Sequence, residues 1–367
     1  MLSRFSVKNF KGFKEEIVLD LKKTNNYEFN SDAVNDGIVN KALIYGKNGC
    51  GKSNLGLALF DLVLHLTDKN KMLNKYLVYL NQDTDTQYAT FDYVFTFGAD
   101  EIEYKYTKFD MQNLRTEELY INGQQYIWYD FVKKQGSCLL DGTQSLRFDS
   151  PDSKLSKLKF INNNAILVDN KENQLFYKMM SFVDSMLLFY SLMERGYQGF
   201  MIGIENLDDS IVKSGKLNDF EKFLHKADVM EKLVYREVNG QNEIAFQYKK
   251  SNVPMQIVAS TGTKSLELFY YWYIKIQQAS LVFIDEFDAF YHFELSEMII
   301  RELMKIKGTQ VILTTHNTDL MSNDLLRPDC LFNMTPSSIV SFANSTKKEL
   351  RKAHNIQKMY KAGAFDE

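Results

Sequence analysis

Gly46-Lys47-Asn48-Gly49-Cys50-Gly51-Lys52-Ser53 fits the spacing G-x-x-x-x-G-K-S, and its surroundings decide what that spacing means. The apolar run Ala42 to Tyr45 leads into it, and a helical pattern leaves it from Ser53 to about Leu66. The order is strand, glycine loop, helix. Glycines there let backbone N–H groups wrap an anion at a helix N-terminus, where the partial positive charge already favours it. In that setting Lys52 is expected to reach the β- and γ-phosphates of a nucleotide, and Ser53 to ligate Mg²⁺. Gly46, Lys47, Asn48, Gly49, Cys50, Gly51 and the following Asn54 are expected to line the cradle. The bland alternative, a glycine turn without nucleotide, does not call for a strand before it and a helix after it.

Further along, Leu281-Val282-Phe283-Ile284 is a short apolar run ending in Asp285-Glu286. At the C-terminal edge of a strand beside such a loop, Asp285 can hold the metal shell and Glu286 can act as the base that polarises water. Two acids opening a helix would look the same in isolation. Val311-Ile312-Leu313-Thr314-Thr315 is a second buried run, ending in His316. A parallel strand that follows closely should pair beside the acidic one, bringing His316 near the γ-phosphate as a donor. A lone histidine is otherwise more often structural.

Ser260-Thr261-Gly262-Thr263-Lys264 precedes another helical stretch, from about Lys264 to Gln278. Small hydroxyl residues with glycine can form an anion site at a helix N-terminus. They equally form an ordinary helix cap, which is the reading that physics alone prefers.

The rest of the chain supplies the frame. Phe5 and Val7, then Ile17, Leu19 and Leu21, alternate around Lys11-Gly12 and predict an opening hairpin. Phe91, Tyr93, Phe95 and Phe97 share one face, and Ile102, Tyr104 and Tyr106 return after Gly98-Ala99-Asp100. A second hairpin is expected at Leu119 to Ile127 around Asn122-Gly123. From Asn173 to Val238 the spacing predicts helices, the second over Leu217 to Tyr235, without a heptad run long enough for a coiled coil. Strand-like Glu243 to Tyr248, helix Glu294 to Ile306 and strand Gln310 to Thr314 complete an alternation that points to a parallel sheet.

Among the 367 residues, 45% are hydrophobic and 14% aromatic, a globular composition. Lys plus Arg number 44 against 47 Asp plus Glu, a formal net charge of -3, so no global basic field draws the chain to nucleic acid. A local basic run at Lys347 to Lys358 reads first as a solvated face of a C-terminal helix. Cys50, Cys138 and Cys330 are odd in number and far apart, against a disulfide framework or a cysteine zinc site, and imply a reducing compartment such as the cytoplasm. Met1 to Phe13 lacks the apolar core of a signal peptide. The most apolar stretch, Leu175 to Met193, is broken by Lys178 and Asp184, so no membrane span is expected.

This order of elements resembles the ABC ATPase heads of the SMC, RecF and OLD group. The likeness covers most of the chain. It is narrowed toward the stand-alone bacterial ATPases of antiphage and abortive-infection operons by Phe5 to Phe13, Ser260 to Lys264, Ile284 to Phe290 and the tail Lys358 to Phe365 with Ala362-Gly363-Ala364-Phe365. The resemblance implies an α/β fold, an ABC ATPase head with an antiparallel β layer, a P-loop parallel sheet and flanking helices. Residues 1–170 and 241–367 would form its halves around a helical insertion at 171–240. It implies that Ser260, Thr261, Gly262, Thr263 and Lys264 are the signature segment, which completes the ATP site of a second subunit in a head-to-tail homodimer or a larger assembly. Thr261, Thr263 and Lys264 depart from the usual L-S-G-G-Q. Asp288 falls where the group places its D-loop, and Phe290-Tyr291-His292 departs from the common L-H-P, leaving His292 without a role. Gln82 and Gln87 are candidates for the Q-loop, though each also fits simple loop polarity.

The stretch after His316 is too short for a TOPRIM domain, so a nuclease or other effector is expected as a separate protein. Competing expectations are a RecF-like repair ATPase that clamps DNA and a scaffold holding nucleotide as a structural ligand. A transporter subunit fits less well, given the long stretch between P-loop and signature.

Overall fold

The computed structural model describes the chain except residues 70–72, 145, 147–153, 191–195, 200–205, 290 and 366–367. Phe290, one of the residues that carried the resemblance, lies outside the described residues.

Two seven-stranded sheets form the body. The first is antiparallel. It contains β1 (Leu2–Lys8), β2 (Ile17–Asp20), β6 (Ala89–Phe97), β7 (Asp100–Lys108), β8 (Leu114–Ile121), β9 (Gln124–Asp130) and β10 (Gln135–Cys138), in the order β10-β9-β8-β7-β6-β1-β2. The period of two sets its register. Phe91, Tyr93 and Phe95 face Tyr106, Tyr104 and Ile102 across the β6–β7 ladder, and all six are buried. Asn122 and Gly123, both at positive φ, make the tight β8–β9 turn. All the expected hairpins are present.

The second sheet contains β5 (Lys41–Gly46), β11 (Leu187–Tyr190), β12 (Gly196–Gly199), β16 (Leu281–Ile284), β17 (Gln310–Thr315), β18 (Leu331–Met334) and β19 (Ile339–Ser341), in the order β12-β11-β16-β17-β5-β18-β19. Its five central strands are parallel and its two edges antiparallel. Helices cover these strands on their faces, which is why β5, β16 and β17 are buried throughout and read as continuous apolar runs. The sheets are stitched together by Gln310, whose carbonyl accepts from Leu2 N at 3.0 Å while its amide donates to Leu2 O at 2.8 Å and Val39 O at 2.9 Å.

After β5 come α1 (Lys52–Leu59) and α2 (Asp61–Leu66). The predicted single helix breaks at Phe60, and the break accompanies the turning of Asp61 inward beneath the antiparallel layer. Gly56 lets α1 lie against the acidic strand, since a Cβ there would stand 2.7 Å from the Phe283 ring. A short ladder of β3 (Val34–Asn35) and β4 (Ile38–Val39) precedes β5, and α3 (Lys157–Asn164) follows the antiparallel layer.

The reading of 171–240 as a helical insertion needs correction. The first helix, α4 (Lys171–Asp184), is present, but the apolar run behind it is β11, paired parallel to the acidic strand β16. Leu187, Leu188 and Phe189 are all buried and carry no alternation, so periodicity alone cannot separate them from the end of a helix. The helices α5 (Leu207–Lys213) and α6 (Leu217–His225) follow. The helix expected to reach Tyr235 stops near His225. A left-handed residue, Asp228, turns the chain into β13 (Leu233–Val238), which forms a small sheet with β14 (Gln241–Gln247) and β15 (Asn252–Pro254). The chain then passes through α7 (Met255–Val258), α8 (Thr261–Ile276) and α9 (Phe293–Met304), and after β19 ends in α10 (Ile356–Lys361). Of the basic run Lys347 to Lys358, residues 347–355 are loop and turn, and only its end, with Lys358, lies on the C-terminal helix α10.

Candidate nucleotide site

Parallel pairing brings three strand ends to one edge. The register aligns Thr315 of β17 with Tyr45 of β5, and Leu313 of β17 with Ile284 of β16. His316 therefore follows at the level of Gly46, and Asp285 and Glu286 emerge beside Thr314 and Thr315. The strand carrying the histidine pairs beside the acidic strand, as its spacing predicts, and lies between that strand and the glycine-loop strand.

The loop from Gly46 to Ser53 is built around close approaches. A Cβ on Gly46 would stand 2.4 Å from Cys50 Sγ and 3.1 Å from Met334 O, so a side chain there would fill the cradle. Gly51 caps α1 at φ 107, where a Cβ would meet the Phe13 ring at 2.7 Å. Lys47, Asn48 and Gly49 are exposed, whereas Cys50 is buried inside the loop and burial pushes its thiol up. Asn54 abuts Gly12, tying the first hairpin to α1. Lys52 is buried and turned into the loop. Its Nζ donates to Gly46 O at 2.8 Å and to Lys47 O at 3.3 Å. Those carbonyls hold the ammonium at the centre of the cradle.

Asp285 is buried at the end of β16. It accepts from Thr314 Oγ1 at 2.7 Å and lies beside the Ser53 hydroxyl. Burial raises its carboxyl above the ordinary range, while the Ser53 and Thr314 hydroxyls oppose that rise. The pairing of Ser53 with Asp285 is a hard-oxygen donor set at a phosphate cradle, and it suits Mg²⁺. Among the described residues no group of three or more His, Cys, Asp and Glu could hold a metal by itself, so an ion here would complete its shell with phosphate and water.

Glu286 stands in the left-handed region at φ 47, an uncommon conformation for a glutamate. The turn is held in place by its neighbours. The Glu286 N–H donates to Thr314 Oγ1 at 2.8 Å and the Phe287 N–H to Thr314 O at 3.2 Å. Thr314 thus binds the side chain of one acid and the backbone of the next. Thr315 repeats the pattern one residue on. Its hydroxyl donates to Asp288 Oδ2 at 2.8 Å and accepts from Asn317 N at 2.9 Å, fixing the chain on both sides of exposed His316. Asp288 is also buried, its carboxyl is raised chiefly by that burial, and its Oδ1 has no partner among the described residues. Thr314 and Thr315 were missed in the sequence. Threonine is an ordinary strand residue, so two hydroxyls closing an apolar strand carried no distinct signal.

The Ser260–Lys264 segment lies at the start of α8. Ser260 Oγ accepts from Thr263 N at 3.1 Å, the cap that physics prefers. Ser260 and Thr261 are exposed, Gly262 and Lys264 half-buried and Thr263 buried. Tyr291 connects this helix to the acidic turn, donating from its hydroxyl to Ser265 O at 3.0 Å. His292 pairs with Glu294 at 2.9 Å on the first turn of α9. Gln82 and Gln87 each donate to a carbonyl two residues back, Leu80 O and Asp85 O, which is loop polarity. No described helix is long and apolar enough to cross a membrane.

Comparison with known proteins gives the following. No curated protein matches the chain. Among solved structures, the SMC head domain from Thermotoga maritima aligns at 16% identity over 93% of this chain and 98% of its own, with a TM-score of 0.45. The Smc head domain with an extended coiled coil bound to the C-terminal domain of ScpA, derived from Pyrococcus furiosus, aligns at 13% identity over 98% of each chain, also at 0.45. The family described as "AAA domain, putative AbiEii toxin, Type IV TA system" matches residues 41–322, from the first residue of β5 to six residues beyond His316. With the P-loop, the acidic strand and the histidine strand all inside that match, this chain belongs to that family of P-loop ATPase domains.

Proposed function

We propose that the protein hydrolyses ATP with Mg²⁺ in a head-to-tail homodimer and that the resulting switch controls a separate effector in bacterial antiphage defence. The observation that carries the reading is the acidic edge. Buried Asp285 lies beside the P-loop serine, and Glu286 is held in a left-handed turn by the threonine that also fixes Asp285. Strain of that kind persists where the surroundings over-determine it, and such sites are commonly functional.

In this reading Lys52 leaves the carbonyls of Gly46 and Lys47 for the β- and γ-phosphate oxygens, while loop N–H groups from Lys47 to Ser53 donate to the phosphates. Ser53 and Asp285 hold Mg²⁺, which when bound neutralises phosphate charge. Glu286 takes a proton from the water whose oxygen bonds to the γ-phosphorus as the bond to the β–γ bridging oxygen breaks, releasing ADP and phosphate. His316, exposed at the same edge, donates to the γ-phosphate. Ser260 to Lys264 serve the ATP held by the other subunit, and Asp288 shapes the turn facing it. Residues 1–170 and 241–367 act as the halves of one head. The cytoplasmic setting rests on the three scattered, free cysteines, and the defence role on the resemblance.

Mixed dimers test the arrangement. Lys52→Ala and Gly262→Asp chains should each be inactive alone. Mixed, they should recover roughly a quarter of wild-type turnover, because one dimer in two is mixed and each mixed dimer has one intact composite site. No recovery on mixing, with both variants folded, contradicts a shared site.

A further inference from the structure

The tail Lys358 to Phe365 was singled out in the sequence, and the proposed chemistry gives it no part. Its local structure explains its residues. Asn355 Oδ1 caps α10 through the Lys358 N–H at 2.8 Å. At the other end the Gly363 N–H returns to Tyr360 O and the Ala364 N–H to Met359 O, both at 3.0 Å, with Gly363 at φ 75. This is a Schellman ending, and it needs a residue tolerant of positive φ. It folds the chain back so that Phe365 packs against buried Phe342, ring centroids 4.7 Å apart.

So anchored, α10 presents two residues one turn apart to the two halves of the nucleotide edge. Tyr360 meets Tyr45, the residue before Gly46, edge to face at 5.0 Å. Gln357 donates to Asp319 Oδ1 and stands 3.4 Å from Thr318 Oγ1, in the 3-10 turn Thr318–Leu320 just behind His316. That turn is itself continuous with the histidine. Asn317 caps Asp319 N at 2.9 Å, and the Asn317 N–H is bound to Thr315 Oγ1. The residues flanking His316 are therefore tied on one side to Asp288 through Thr315 and on the other to the tail through Asp319.

We infer that Gln357 and Tyr360 are positioning residues: Gln357 sets the turn that aims His316, and Tyr360 sets the strand end that leads into the P-loop. The inference rests on the proposed hydrolytic reading for Gln357, and only on nucleotide binding for Tyr360.

The test compares wild type, Gln357→Glu, Gln357→Glu with Asp319→Asn, and Tyr360→Leu. Each is measured for steady-state phosphate release and for binding of a fluorescent ADP analogue with Mg²⁺. Gln357→Glu sets two carboxylates against each other, so kcat should fall about fivefold to tenfold with analogue affinity within about twofold of wild type. Adding Asp319→Asn should restore turnover, because the new amide can donate to the new carboxylate. Tyr360→Leu should weaken analogue binding about threefold or more at unchanged melting temperature. Turnover by Gln357→Glu equal to wild type, or a loss that Asp319→Asn does not rescue, overturns the role of Gln357. Unchanged affinity in Tyr360→Leu overturns that of Tyr360. If wild type binds the analogue but releases no phosphate, the hydrolytic reading and the role of Gln357 fail together, while Tyr360 is still judged on binding.

Discussion

Two clusters of buried charge stand at the two ends of α1, one at Lys52 and one just past Leu59 at Asp61, and they are finished differently. Beneath the antiparallel layer, Asp61 Oδ1 accepts from Tyr79 OH at 2.8 Å, while Oδ2 accepts from Tyr106 OH at 2.9 Å and Lys108 Nζ at 3.0 Å. Asp61 and Lys108 are both fully buried. Nearby, buried Glu117 takes Tyr104 OH at 2.8 Å, Ser156 Oγ at 2.5 Å and Lys157 N at 2.7 Å. His65 Nε2 joins Tyr104 OH at 2.8 Å, and apart from His65 Nδ1 the buried polar side-chain atoms of these two groups have partners among the described residues. At the nucleotide edge the groups are left open. Lys52 rests on carbonyls of its own loop, Asp288 Oδ1 has no partner among the described residues, and Glu286 occupies a left-handed turn. A charge with every bond satisfied inside the protein serves the fold, and a charge held in place with bonding capacity to spare is available for a ligand.

Substitution should separate the two. The largest effect is expected for Asp61→Ala, which strands Lys108 in the interior and should cost about 3–5 kcal/mol of stability in urea unfolding. Its turnover should fall only as the folded fraction does. A loss of turnover in fully folded Asp61→Ala would erase the distinction between the clusters. Lys52→Ala should do the reverse, lowering ATP turnover about 10²–10³-fold with a melting temperature near that of wild type. Smaller still, Thr314→Val keeps the shape of β17 and removes the hydroxyl shared by Asp285 and Glu286. Turnover should drop roughly tenfold, with stability reduced by about 1 kcal/mol. A wild-type rate in Thr314→Val would show that the turn at Glu286 does not depend on that bridge.

Legibility in the sequence followed the range of the interaction that fixes each residue. Gly46 to Ser53 and Asp285-Glu286 were readable because loop and strand-end chemistry is local, and the β6–β7 hairpin because its alternation is long. The strand β11 was not, since four apolar residues between helices carry no period of their own. Thr314 and Thr315 pass as ordinary β-branched strand residues until β16 is laid beside them. The tail motif was visible as a pattern, but its partners Tyr45, Asp319 and Phe342 come from separate parts of the chain. Ser260 to Lys264 remain the least determined by one chain, because their cap satisfies them without any ligand.

The central claim is that Glu286 works as the base on a nucleotide gripped by this edge. It is tested most directly by phosphate release and light-scattering mass of wild type and Glu286→Gln, with and without Mg-ATP. The account predicts turnover by wild type, at least about 10²-fold less by Glu286→Gln, and a stable ATP-dependent dimer of the variant. Equal turnover by the two proteins, or none by either and no change in mass with Mg-ATP, would contradict it.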